Sequence, residues 1–91
     1  MKILCRITKE ELDDYINLMQ NTDSLKTLFR IKKQKGGLTP EIEKEIKEKT
    51  LDINQKTSAW WEKITQSYNI PYYIDRAMLV DAQRLFIYVE E

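Results

Sequence analysis

The longest periodic pattern of apolar and polar positions in the chain runs from Thr39 to Tyr68. Apolar residues recur there every three or four positions, which predicts one amphipathic helix with a continuous seam. The seam positions are Ile42, Ile46, Thr50, Ile53, Thr57, Trp60, Ile64 and Tyr68. Thr39 and Pro40 provide an N-cap and a first helical residue. Pro71 requires the helix to end just before it, after about 45 Å at ~1.5 Å per residue.

A short alternating segment, Lys2 to Ile7, begins the chain and predicts a β-strand. Thr8 and Glu11 then have the spacing of a capping box, so a first helix is expected to begin at Lys9. Apolar residues at helical spacing form the face of this helix that contacts a partner. They are Leu12, Tyr15, Ile16 and Met19.

The segment from Asn21 to Ser24 leaves two alternatives for the first helix. The apolar stripe continues across it through Leu18, Thr22, Leu25 and Phe29, which favours one long helix, bent or straight. The alternative is a separate short helix from Leu25 to Lys33, capped by Asp23 or Ser24. Gly36 and Gly37 are expected to end the helix. The short connection that follows predicts an antiparallel helical hairpin.

The C-terminal tail is rich in aromatic and β-branched residues, which favours two paired strands. We expect these strands at Tyr72–Ile74 and Leu85–Val89, with a turn at Val80–Gln83. The competing interpretation is a third helix capped by Asp75, with Met78, Ala82, Leu85 and Val89 on one face. The hairpin is preferred because the N-terminal strand otherwise lacks a partner. The expected fold class is therefore α+β: one domain, residues 1–91, with a long helical hairpin and a small antiparallel sheet.

Composition narrows the possible functions of this chain. Fifteen basic and fifteen acidic residues cancel, which removes the simplest argument for a nucleic-acid or membrane partner. The chain has no histidine, and it has no recognisable metal, cofactor or nucleophile motif. Cys5 is the single cysteine, and we interpret it as a small hydrophobic residue in a reducing cytoplasm. We therefore expect a cytoplasmic protein without a cofactor that is not an enzyme.

Charged residues cluster in two ways along the predicted helices. Glu43–Lys47 and Glu45–Lys49 have the favourable spacing for ion pairs on the outer face of the second helix. The first helix ends in a basic group, which could bind phosphate or acidic groups. The more economical interpretation is a solvated helix end where the macrodipole favours cations. The basic residues are Lys26, Arg30, Lys32, Lys33 and Lys35.

The adjacent tryptophans, Trp60 and Trp61, point about 100° apart on a helix, so both cannot occupy the centre of one seam. We expect Trp60 in the core and Trp61 at its edge. Trp61 with Tyr68, Tyr72 and Tyr73 could then form an aromatic wall that binds a ligand, with Arg76 and Arg84 available for an anion. The plainer alternative is that these rings attach the tail to the helix.

The C-terminal half resembles a family of small accessory proteins. The residues that carry the resemblance are Trp60-Trp61, Tyr68 one helical stripe further on, and Tyr73-Ile74-Asp75 before a final apolar strand. On these residues the chain resembles accessory proteins of bacterial peptide-modification clusters that have CXXX-repeat precursor peptides. The resemblance implies a non-catalytic cytoplasmic helper and supplies no catalytic residues. The short, lysine- and asparagine-rich chain also resembles products of phages and mobile elements.

Three functional hypotheses follow from these observations. The first is a small protein-binding module that engages a partner through its aromatic edge, such as a phage-type inhibitor of a host or defence protein. The second is an oligomeric sponge for an anionic nucleotide, and the third is recruitment of a precursor peptide to a modification enzyme. A two-helix hairpin lacks a third layer, so self-association into a homodimer is also expected.

Overall fold

The computed structural model describes residues 1–70 and 77–90. Two long helices form a hairpin, and three short strands form an antiparallel sheet, which confirms the predicted α+β class. The elements in chain order are β1 (Lys2–Arg6), α1 (Lys9–Gln34), α2 (Pro40–Ser67), β2 (Met78–Asp81) and β3 (Phe86–Val89). Among the described residues, no helix is both long and apolar enough to cross a membrane.

Helix α1 is continuous and has the ends that the sequence predicts. The backbone amide of Thr8 donates to Glu11 Oε1 at 2.9 Å, and the amide of Glu11 donates to Thr8 Oγ1 at 3.1 Å, which completes the capping box. No break occurs at residues 21–24. Beyond the last turn, Gly36 has a φ of 72°, and the amide of Gly37 donates to the carbonyl of Lys32. This geometry is a Schellman C-cap, in which glycine adopts the left-handed conformation at little cost.

Helix α2 keeps its seam regular despite the two threonines in it. Thr50 Oγ1 donates to the carbonyl of Ile46, and Thr57 Oγ1 donates to the carbonyl of Ile53, both at 2.8 Å. Because each hydroxyl is bonded to its own helix, the threonine methyl groups remain available for the seam. At the C-terminus, Asn69 takes the left-handed conformation with a φ of 52°. The helix thus ends at Ser67, ahead of Pro71, as expected.

Strand β3 lies at the centre of the sheet, in the order β1-β3-β2. The last strand in the chain therefore pairs with the first, which provides the partner that the N-terminal strand was expected to need. The register changes between Ile3 and Cys5, where a bulge adds one residue to β1. Ile87 and Val89 on β3 are completely buried, so the central strand supplies part of the core.

The C-terminal hairpin forms, but the predicted turn at Val80–Gln83 is wrong. Val80 and Asp81 belong to β2, and the turn occupies residues 82–85. Asp81 explains the shift, because its Oδ1 accepts hydrogen bonds from the amides of Gln83 and Arg84. Such a side-chain cap makes a tight turn without glycine, although Leu85 must adopt a φ of 57°. The third-helix alternative is also wrong, since Met78 to Asp81 and Phe86 to Val89 are strands.

Two predictions on the tail lie outside the described residues: the strand at Tyr72–Ile74 and the helix cap at Asp75. Within the described residues, the first strand of the C-terminal hairpin begins at Met78.

The chain divides into two compact units. The sheet unit comprises Met1–Tyr15 and Trp60–Glu91, and the helical unit comprises Ile16–Ala59. Nearly all of the buried apolar side chains in the described residues belong to the sheet unit. They are Ile7, Leu12, Trp60, Ile64, Ile70, Phe86, Ile87 and Val89. In the helical unit only Ile46 reaches the same degree of burial among the described residues.

Candidate protein-interaction site

Three aromatic rings meet in the sheet unit and form what we call the aromatic cluster: Tyr15, Trp60 and Trp61. The rings of Tyr15 and Trp60 lie 4.8 Å apart between centroids and are tilted by 48°. Trp61 packs edge-on against Tyr15 at 5.9 Å and against Trp60 at 4.9 Å. The two contacts of Trp61 have the T-shaped geometry that aromatic pairs favour, whereas the Tyr15–Trp60 pair has an intermediate tilt.

Trp60 and Trp61 have different environments, as the 100° rotation between neighbours predicts. Trp60 is 8% exposed, and its Nε1–H donates to the backbone carbonyl of Glu11 at 3.0 Å. Trp61 is only half-buried. The prediction that Trp60 enters the core and Trp61 lies at its edge is therefore confirmed. The cluster thus has one anchored member and one partly accessible member.

Glu11 connects the start of α1 to the end of α2. Besides its role in the capping box, its Oε1 accepts a 2.6 Å hydrogen bond from the hydroxyl of Tyr68. Partial burial opposes ionisation of Glu11, but the hydrogen bonds from Thr8 and Tyr68 outweigh it and hold the carboxyl pKa below its usual value. The same hydrogen bond, together with burial, raises the pKa of Tyr68 to about 12. The phenol is therefore neutral, and its donor is already used.

Cys5 is half-buried on β1. Burial raises the pKa of its thiol, and the nearby Glu11 carboxylate acts in the same direction. A thiol with a raised pKa is a poor nucleophile, which agrees with its interpretation as a small hydrophobic residue.

The structure places the predicted binding residues in several different settings. Trp61 belongs to the aromatic cluster, and Tyr68 is bonded to Glu11. Arg84 is exposed in the β2–β3 turn, where its amide donates to Asp81. No hydrogen bond or cation–π contact connects Arg84 to the aromatic cluster within the described part of the chain. Tyr72, Tyr73 and Arg76 lie outside the described residues.

Sequence reasoning overlooked two contributors to this site. Tyr15 was recognised as a stripe residue but not as a neighbour of both tryptophans. Glu11 was recognised as a capping residue but not as the acceptor for Tyr68 and Trp60, which are 57 and 49 residues away in sequence. A capping motif reports only on its own helix, so no local signal could reveal these distant contacts.

A second surface lies in the helical unit, where an open groove of about 400 Å³ runs between the two helices. Its apolar floor is formed by Leu25, Phe29 and Ile46, and its rim includes Lys26, Lys47 and Leu51. Leu51 is 60% exposed. It lies off the predicted seam of α2, so the seam pattern gave no reason to select it.

Charges in the helical unit divide into paired and unpaired sets. The predicted Glu43–Lys47 and Glu45–Lys49 ion pairs form at 3.2 and 3.1 Å, and Asp52–Lys56 adds a third at 3.0 Å. The basic group of α1 forms no ion pair within the described residues, which leaves that helix end strongly cationic. In the described part of the chain, no group of three or more acidic, cysteine or histidine side chains is arranged to hold a metal ion.

No family of known proteins, no curated protein and no solved structure matches this chain. The resemblance to accessory proteins of peptide-modification clusters therefore stays a prediction.

Proposed function

We propose that this chain is a non-enzymatic protein-binding module that engages its partner through the surface around Trp61. The observation that carries the proposal is the environment of this side chain. Trp61 is half-buried rather than buried, and its ring packs edge-on against Tyr15 and Trp60. Trp60 in turn is hydrogen-bonded to Glu11, so the support beneath Trp61 is itself fixed.

A pre-ordered tryptophan is well suited to anchor a protein interface. It offers a large apolar area, and little further conformational entropy is lost when a partner covers a ring that already has one orientation. Tryptophan is also among the residues that contribute most to binding energy at interface centres. The aromatic cluster therefore supports protein binding more directly than it supports catalysis.

The charge next to the aromatic cluster disfavours the alternative of an anionic nucleotide ligand. The hydroxyl of Tyr68 donates its hydrogen bond to Glu11, and the lowered pKa of Glu11 keeps that carboxylate ionised at neutral pH. A nucleotide phosphate placed beside Tyr68 would meet a negative charge rather than a donor.

The proposal is tested by affinity capture from extracts of the source cells, with wild-type protein, Trp61→Ala and Leu79→Ala as baits. Leu79→Ala is the matched control, because it removes a partly exposed apolar side chain elsewhere in the sheet unit. We expect at least one protein to be enriched by wild type and by the control but lost with Trp61→Ala. Far-ultraviolet circular dichroism of each bait checks that the fold is retained.

For a partner identified in this way, Trp61→Ala should raise the Kd of the complex by about tenfold or more, as is typical of an interface anchor. Trp61→Phe should weaken binding less, since it keeps an apolar ring. The proposal is wrong if the three baits capture the same proteins, or if Trp61→Ala leaves the Kd of every captured partner unchanged.

A further inference from the structure

We infer that the groove of the helical unit is an interface between two copies of this chain, in which Leu51 of each copy enters the groove of the other. This interface is separate from the Trp61 surface, because every residue that lines the groove belongs to the helical unit.

The helical unit has an incomplete core. Ile46 is its one buried apolar residue among those described, whereas Leu25 and Phe29 on the groove floor remain half-exposed. Two helices form a single layer, and a second layer is needed to remove such a floor from water. A second hairpin laid across the first would complete a four-helix bundle, the usual solution for paired helical hairpins.

Leu51, the side chain that would enter the partner, lies on the same surface of the helical unit as the groove. Leu51 forms one side of the groove. A second depression lies on the opposite side of Leu51, and its lining includes Pro40, Glu43 and Glu48. Leu51 therefore projects between two concave regions. An interface with two-fold symmetry requires this self-complementarity, since each copy must offer both the projection and the depression.

Charge complementarity also favours this interface. It selects the orientation of the two copies as well. Residues 24–40 contain five basic and no acidic residues, whereas residues 41–48 contain four glutamates and two lysines. A two-fold axis parallel to the helices places α1 of one copy over α2 of its partner, so the basic segment faces the acidic one. The antiparallel alternative stacks α1 on α1 and brings two unpaired basic segments together, which is unfavourable.

The face that the helical unit offers is close in area to one side of a standard interface. Two helices about 10 Å apart and ~30 Å long present a flat face of roughly 600 Å², and projecting side chains add to this area. A standard interface buries about 800 Å² on each partner. The helical unit thus approaches the size class of specific complexes by itself.

The test is analytical ultracentrifugation of the full chain over a range of concentrations. We expect wild type to dimerise and Leu51→Lys to weaken the dimer at least about tenfold, because a cation would then enter an apolar groove whose rim already carries Lys26 and Lys47. Leu28→Lys is the matched control: Leu28 is also exposed in the helical unit, at 42%, but does not line the groove. A monomeric wild type, or equal loss in the two variants, overturns the inference.

The orientation is tested in a Cys5→Ser background with two single-cysteine chains, Lys26→Cys and Leu51→Cys. A short bismaleimide cross-linker should join the two different chains more efficiently than either chain to itself, because α1 faces α2 of the partner. Dominant cross-linking of Lys26→Cys to itself would contradict this arrangement. A different protein that copurifies in stoichiometric amount and is released by Leu51→Lys would assign the groove to that protein and overturn the inference.

Loss of dimerisation in Leu51→Lys with unchanged capture through Trp61 would leave the proposed function intact. Loss of capture in Trp61→Ala with an intact dimer would leave the interface intact. The two proposals can therefore fail separately.

Discussion

The two units of this chain are built from the same pair of helices, yet they are stabilised differently. In the sheet unit, the first turns of α1 and the last turns of α2 share a core with a three-stranded sheet, and apolar side chains such as Ile64 and Ile87 become fully buried. In the helical unit no sheet is present, and even seam residues such as Ile42 and Ile53 remain half-exposed. The sheet adds a layer, and the sheet unit is also richer in apolar residues than the helical unit.

Polar contacts follow the same division. In the sheet unit, the bonds from Trp60 and Tyr68 to Glu11 connect segments that are far apart in sequence. In the helical unit, the side-chain hydrogen bonds and ion pairs of the described residues join positions three or four apart. Local bonds stabilise each helix but do not hold the two helices together. Among the described residues, no side-chain hydrogen bond or ion pair of the helical unit joins α1 to α2.

The largest expected effect comes from shortening one isoleucine in each unit. Ile64→Ala removes a side chain that is 1% exposed and should lower the free energy of unfolding by about 3 to 4 kcal/mol. Ile53→Ala makes the same change at a half-exposed seam position and should cost about 1 to 2 kcal/mol. Urea unfolding followed by circular dichroism measures both. Equal costs would show that the helical unit is as well packed as the sheet unit.

An intermediate effect is expected at the connection between the two helices in the sheet unit. Glu11→Gln keeps the shape of the side chain but removes its negative charge, which weakens the hydrogen bonds that Thr8 and Tyr68 donate to it. The substitution should lower the free energy of unfolding by about 1 to 2 kcal/mol at neutral pH. Because the folded pKa of Glu11 is lowered, its contribution is complete above the unfolded pKa and is lost as the pH falls through the folded pKa. Wild type should therefore lose more stability on acidification than the variant.

Tyr68 gives an independent measurement of the same bond. Spectrophotometric titration of wild type should show one tyrosine ionising at about pH 12, and Glu11→Gln should shift that titration downward. The raised pKa favours folding below the unfolded pKa of the phenol, and this contribution is lost as the pH rises through 12. An unchanged tyrosine titration in Glu11→Gln would contradict the bond.

The smallest effect is expected for the ion pairs of the helical unit. Asp52→Asn removes the partner of Lys56 on a well-exposed surface, and should cost no more than about 0.5 kcal/mol. The effect should decrease further in high salt, because mobile ions screen exposed charges. Thermal unfolding at low and high salt measures it. A cost above about 1 kcal/mol would show that the surface of this unit contributes more than its local pairs explain.

Much of the fold could be predicted because its signals are local. The capping box at Thr8, the glycines that end α1 and the helical period of α2 each involve residues a few positions apart. The turn between β2 and β3 was misplaced because its determinant is one carboxylate, Asp81, whose capping role is not apparent without the backbone geometry. Of the candidate site, the separate environments of Trp60 and Trp61 were predictable from helix geometry.

The sequence by itself indicated where the helices begin and end, and it favoured a continuous α1 and strands in the tail over the alternatives that it left open. Only the tertiary structure decided which distant residues meet and which side chains are left exposed. It showed that Glu11 binds residues at the end of α2, that Tyr15 fixes Trp61, and that Leu51 stands exposed beside an apolar groove. The physical reason is range: propensity, capping and period act over one or two turns, whereas burial depends on residues that are distant in the chain.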